Sequence, residues 1–228
     1  MLNQLDTQPA LIDQVHERLV AAIVSGALAP GQRVTQESVA EMLGVSRQPV
    51  SHALQILKRR GLVTEHGKRG LAVSPMDDVM VRDLYQVRAA LDGLAAGLAA
   101  HRVRTGTAGA DEFEDLDAAL EAGRRLGKNV DMMALVQADV AFHGALYRLS
   151  GNDQIAATIT EQWPHFMRSM GMVLALEGAR TRIWREHASI AGAVQRGDHV
   201  EAERLARAHT ARATERLAAQ RKLAAKAD

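Results

Sequence analysis

The chain has 228 residues, no cysteine, 3% aromatic residues and a formal net charge of +1. That length suits one large or two small domains with a real core, and the missing cysteine excludes a disulfide framework and any thiolate metal site. Abundant alanine favours helices over sheets, and no run of about 18 apolar residues or charged-then-apolar leader is found, so a cytosolic (cytoplasmic) protein is expected.

Residues 1–75 carry +2 and residues 76–228 carry −1, so only local charge clusters can speak for nucleic acid. Residues 1–10 read as disordered. From Leu11, the residues Ile12, Val15, Leu19, Ala22 and Ile23 mark an amphipathic helix ending near Gly26. Pro30-Gly31 forms a turn. Thr35 then reads as the N-cap of a short helix with Val39, Met42 and Leu43 on its apolar side and Gly44 as its stop.

The next helix opens at Ser46, whose hydroxyl would cap Gln48 because Pro49 has no amide hydrogen. Val50, Ala53, Leu54 and Leu57 fall at i, i+3, i+4 and i+7 on one apolar face. Lys58, Arg59 and Arg60 suit the negative end of the dipole, and Gly61 ends the helix. The opposite face carries Arg47, Gln48, Ser51, His52 and Gln55, all able to hydrogen-bond base edges and phosphates. Helix, glycine turn and polar-faced helix is a helix-turn-helix pattern; an ordinary helical hairpin with a solvated face reads the same way.

The residues after Gly61 favour the helix-turn-helix. Leu62-Val63-Thr64 and Leu71-Ala72-Val73 flank a Gly-rich basic tip, which reads as a hairpin or wing. From Arg47 to Arg69 there are six Lys/Arg and one acid, Glu65, a footprint for a phosphate backbone. Ser74-Pro75 breaks the chain, which places a DNA-binding domain at 1–75 and a second domain at 76–228.

The second domain is helical throughout. Leu84, Val87, Leu91, Leu94 and Leu98 stripe a helix over about 77–104, followed by one with Phe113, Leu116 and Leu120 that Gly127 ends. A third helix spans about 131–149, and Trp163-Pro164 kinks or splits the helix that Asn152 caps. Two more cover about 179–196 and 199–220, with a frayed tail from Ala218. The fold expected is mainly α: an N-terminal winged helix-turn-helix and an antiparallel bundle of six or seven helices.

Four polar residues fall within apolar stripes. Asp139 and His143 share a face with Val136 and Leu146, His187 lies among Ile183, Ile190 and Val194, and His209 lies with Leu205, Ala206 and Ala213. Burying such groups unpartnered is costly. Each histidine alone is better explained as a satisfied core residue or by a structural hydrogen bond, and His16, His101, His165 and His199 are read that way. Together, one Asp and three His make a good set for a divalent ion such as Zn²⁺, Ni²⁺ or Mn²⁺.

The stretch Gly31 to Val73 resembles the winged helix-turn-helix of GntR-family bacterial transcription regulators. The matching residues are Leu43-Gly-Val-Ser-Arg-Gln-Pro-Val50, Ala53-Leu54, Gly61-Leu-Val63 and Arg69-Gly70. The resemblance implies that Arg33 contacts phosphate, that Ser46, Arg47 and Gln48 work at the start of the recognition helix, and that His66 and Gly67 work at the wing. Relatives usually carry Arg-Glu after Pro-Val; Ser51-His52 stands here, so a different operator is expected. Residues 78–216 resemble the FCD-type ligand-binding domain of the FadR branch, through Asp139-x3-His143, Leu149-Ser-Gly-Asn152, Glu186-His187, Gly197-Asp198 and His209. That likeness implies a metal held by Asp139, His143, His187 and His209 and a small carboxylate effector. Arg88 fits the early Arg of that pattern, with Asp92 where Glu is usual: it is either a carboxylate anchor or an ion-pair partner of Asp92.

The sequence thus reads as a homodimeric, ligand-responsive transcription regulator that is not an enzyme. A metal-dependent hydrolase using the Asp/three-His site is the alternative; the lack of an obvious general base and the DNA-binding module count against it. A structural metal in a helical adaptor is a third.

Overall fold

The computed structural model describes residues 9–67, 70–127, 130–176 and 178–224. The expectations for residues 1–8, for Lys68 and Arg69 at the wing tip and for residues 225–228 lie outside these. The chain separates into two compact units, Met1–Met76 and Asp77–Asp228.

The first unit runs α1 (Pro9–Ser25), β1 (Arg33–Val34), α2 (Gln36–Leu43), α3 (Arg47–Arg59), β2 (Val63–His66) and β3 (Gly70–Val73). Helix α1 packs on α3, and Val15, Leu19 and Ile23 meet Val50, Leu54 and Leu57 in an aliphatic core. Thr35 caps α2 by accepting from the Ser38 amide at 3.1 Å, and Gly44 closes it in the left-handed region at φ 65°. Only glycine takes that conformation without strain.

Two local expectations are corrected. Ser46 stands at the N-cap of α3 but makes no side-chain cap bond. Met42 is 74% exposed, and Val39 with Ala40 forms the buried side of α2. The wing is a hairpin of β2 and β3, with Val63 opposite Val73 and His66 opposite Gly70. The two-residue β1 pairs with β3 on its other edge, giving the order β1-β3-β2. No sequence period announces a two-residue strand.

Among the described residues the second unit holds seven helices: α4 (Asp78–Thr105), α5 (Ala110–Arg125), α6 (Met132–Leu149), α7 (Asp153–Thr160), α8 (Trp163–Leu174), α9 (Ala179–Gln195) and α10 (His199–Ala224). Trp163-Pro164 splits rather than kinks: Pro164 sits in the first turn of α8, where a missing N–H costs little. Asn152 caps α7 by accepting from the Gln154 amide at 3.2 Å. Helix α10 continues to Ala224, past the expected fraying at Ala218, and lies along α4.

The face that α4 buries is not its leucine stripe. Val87 is 57% and Leu94 43% exposed, while Val81, Tyr85, Arg88, Asp92, Ala95, Ala96 and Ala99 are buried. Small residues let α10 approach closely: a Cβ on Gly93 would come within 2.4 Å of the Arg207 side chain. The alanine face therefore packs tightly, and it carries Arg88 and Asp92 inward with it.

Candidate functional site

The polar surface of α3 presents Arg47, Gln48 and His52 to solvent, with Ser46 exposed just before them. Arg47 pairs with Glu37 at 3.0 Å, both exposed. Ser51 is half-buried and its hydroxyl accepts from Gln36 Nε2 at 3.2 Å, so a side chain of α2 fills the place beside it. Lys58 Nζ donates to Glu65 at 2.6 Å and ties the wing to the end of α3. Arg33 is exposed on β1, its guanidinium close to Gly70, and His66 and Gly67 are exposed where β2 turns. The eight residues singled out for DNA thus belong to β1, α3 and the wing of one unit.

In the helical unit, α6, α9 and α10 bring His143, His187 and His209 together, with ligand atoms all within 4.8 Å of one another. Asp139 is one turn before His143 on α6. His187 Nε2 lies 3.2 Å from His209 Nε2 and 3.5 Å from Asp139, and His143 Nε2 lies 3.7 Å from Asp139. A metal with bonds of about 2.0–2.1 Å sets neighbouring ligand atoms about 3.0–3.4 Å apart; the His187–His209 pair already matches that, and the wider separations would close by a few tenths of an ångström to somewhat over an ångström around one small cation. The three imidazoles form the tight set. Asp139 borders it and is shared with Arg88 Nη2 at 4.0 Å.

A carboxylate behind one ring fixes which of its nitrogens faces inward. Glu186 on α9 takes a hydrogen bond from His209 Nδ1 at 2.7 Å, which leaves the Nε2 lone pair for the centre. Asp92 Oδ1 stands 3.6 Å from His143 Nδ1 in the same sense. Both His143 nitrogens and His187 Nδ1 are buried without a hydrogen-bond partner. Burial lowers the pKa of His187 well below its usual value, aided by His209, His143 and Arg88; burial, aided by His143, also lowers that of His209 against the pull of Glu186. Neutral imidazoles with inward lone pairs are the form a cation binds. These residues fit a divalent ion.

Asp92 anchors the surrounding network. It accepts from Thr210 at 2.6 Å and from the Tyr147 hydroxyl, and Arg88 Nε lies 3.4 Å away. Burial alone would raise its carboxyl; His143, Arg88 and the Thr210 bond hold it well below the usual range instead. Burial likewise opposes the charge on Arg88, yet Asp92 and its other neighbours raise its pKa. The guanidinium also faces the rings of Phe166, Trp163 and Tyr85 at 5.0, 5.5 and 5.8 Å. Arg88 is thus an ion-pair partner of Asp92 and at the same time lines a cavity with Asp139, His209 and Thr210. Sequence reading missed Glu186, Tyr147 and Thr210 as supports. Glu186 precedes His187 and Thr210 follows His209, but adjacency in a helix gives no warning of who shares a partner.

A helix-turn-helix unit with a wing, in one chain with a helical unit built around buried histidines, defines a DNA-binding transcription regulator with a second, all-helical domain. The chain belongs to the gntR family of bacterial regulatory proteins, in the branch with an FCD domain. Residues 11–73 match the first family and residues 83–212 the FCD domain. It is 29% identical to an uncharacterised HTH-type transcriptional regulator of an unstable DNA locus in Streptomyces ambofaciens, over 86% of this chain and 80% of that one. It is 28% identical to the Glc operon transcriptional activator of Escherichia coli, over 90% and 87%. The solved structure of E. coli McbR/YncC shares the fold with a TM-score of 0.76 at 19% identity, covering 96% of this chain and 99% of that one. GntR regulators bind operator DNA and effector ligands, and the chain is a regulator rather than an enzyme. Among the described residues no helix is long and apolar enough to cross a membrane.

Proposed function

We propose that this regulator works as a homodimer whose helical domain holds a Zn²⁺, Ni²⁺ or Mn²⁺ ion and senses a small organic acid that modulates operator binding. The observation that carries this reading is the convergence of three buried imidazoles from α6, α9 and α10, with both His143 nitrogens unpartnered and Asp139 beside them. When bound, the ion supplies a positive centre that a carboxylate can coordinate. Asp139, His143, His187 and His209 hold it, and Arg88, beside Asp139, is placed to orient the incoming acid.

The free space in this cavity is about 20 Å³, room for one water or an ion. An acid therefore enters by displacing wall side chains, Met170 of α8 foremost because its unbranched thioether repacks readily. Binding favours the expanded packing and shifts the equilibrium only by its differential affinity for the two states. The dimer reading rests on α4: the exposed Val87 and Leu94 run with Leu84 and Leu91 along an apolar seam, and a 790 Å³ cleft lined by Leu84, Val87 and Leu91 opens against α7. A second copy would cover it and bring two recognition helices to two half-sites. Arg33, Ser46, Arg47, Gln48, Ser51, His52, His66 and Gly67 then meet the DNA, Ser51 beside its hydrogen-bond partner Gln36.

The test is His187→Ala. The variant should lose zinc on dialysis and lose propionate binding by calorimetry, while keeping wild-type affinity for DNA selected from a random pool. Full propionate affinity in metal-stripped wild type would make the ion structural and move the sensing site elsewhere.

A further inference from the structure

The cavity beside the histidines has a second basic wall. Arg216 lies seven residues beyond His209 on α10, about 10 Å further along the axis at 1.5 Å per residue. It lines the same cavity as Arg88, Asp139 and His209. Its side chain is 14% exposed, and its Nη2 donates to Glu186 Oε1 at 2.7 Å. Its Nη1 is buried and has no hydrogen-bond partner. A buried guanidinium N–H left unpaired is costly, so the atom is poised for an acceptor that arrives from outside the protein.

That acceptor is not a carboxylate coordinated among the histidines. Glu186 stands between: its Oε2 takes the Nδ1 hydrogen of His209, on the ring edge opposite the Nε2 that faces His187. Its Oε1 holds Arg216 and, at 3.0 Å, Arg212. The side chain of Arg216 is therefore fixed on the far side of the His209 ring from the ion-binding centre. Met170, Val173, Leu174 and Ile183 give the cavity an otherwise largely apolar lining. Along α10, Ala213 stands between His209 and Arg216, so hydrocarbon separates the residues that line it with Arg88 and Asp139 from the Arg216 side chain.

We infer that the effector is an acid with two anionic groups separated by an apolar spacer, one at the histidine cluster and Arg88 and the other on Arg216 Nη1. The Oε1 and Oε2 of Glu186 make the second end informative about the first, because the carboxylate that positions Arg216 also orients His209. Glu186 accepts from both residues, Oε2 from His209 and Oε1 from Arg216. This inference rests on the metal-and-acid reading of the cavity, and its test separates the two.

The experiment titrates zinc-loaded full-length protein by calorimetry with the α,ω-dicarboxylates from malonate to adipate and with monocarboxylates of matched chain length. Wild type should bind one dicarboxylate at least about tenfold more tightly than its matched monoacid, the worth of one charge-assisted hydrogen bond. Arg216→Met should abolish that preference while still binding the monoacid, and Arg216→Lys should keep part of it. Zinc content and the thermal midpoint of each variant report whether the loss is local. Should Arg216→Met fail to fold, the wild-type comparison and Arg216→Lys decide. Equal affinity of wild type for mono- and diacids overturns the inference but leaves the metal-and-acid reading standing. An undiminished preference in Arg216→Met overturns it too, leaving Arg216 as a brace for Glu186. Failure of every acid to bind zinc-loaded wild type overturns both.

Discussion

The two units bury different chemistry. The core of the DNA-binding unit is aliphatic, from Val15 and Leu19 to Leu54, Leu57 and Val73, and most of its polar residues are turned to the surface. The helical unit buries Arg88, Asp92, Asp139, His143, His187, His209 and Thr210. An aliphatic core tolerates change roughly in proportion to the volume removed, whereas a buried charge depends on every partner being in place. The first unit is built to present a surface and the second to enclose a centre.

The largest effect should come from breaking that enclosed network. Asp92→Ala leaves Arg88 buried without its nearest carboxylate and removes the acceptor of Tyr147 and Thr210. A loss of about 3–5 kcal/mol is expected, as for a buried pair deprived of one partner. Denaturant unfolding of the full chain measures it; a cost below that of a surface substitution would show that Arg88 finds Asp139 instead.

Arg47→Ala probes the opposite case. Its pairing with Glu37 is on the surface, so stability should change little, while affinity for the selected operator falls by about 1–3 kcal/mol, one bidentate base contact. Fluorescence anisotropy with the selected duplex reads the affinity, and unchanged binding would remove Arg47 from the interface.

The smallest effect separates two caps that look alike in the sequence. Thr35→Ala removes a hydrogen bond to the Ser38 amide and should cost about 1 kcal/mol. Ser46→Ala removes no cap bond and should stay within about 0.5 kcal/mol, as an exposed substitution does. Thermal unfolding of the two variants side by side checks this. Equal losses would mean that Ser46 caps α3 in solution.

The winged unit was legible because its signals are local. Thr35, Gly44, Pro49 and Gly61 mark boundaries through their own backbone preferences, and Val50, Ala53, Leu54 and Leu57 mark a face through period alone. The helices of the second unit were legible in the same way, and so was the inward bias of Asp139, His143, His187 and His209. Helical period says that a residue lies on a buried stripe but not what stands opposite it. On α4 it pointed to the wrong stripe: leucines outweigh alanines in hydrophobicity, but closely packed α10 requires the small face, and that face takes Arg88 and Asp92 inside. That Glu186 joins His209 to Arg216, and that Ser51 takes a hydrogen bond from Gln36, depend on how neighbouring helices pack, α9 with α10 and α2 with α3, which no single helix records. Sequence by itself determined the elements and the residue types of the site. Only the tertiary structure decided their partners, because a buried polar group is satisfied by whatever the packing of other helices brings within hydrogen-bond reach.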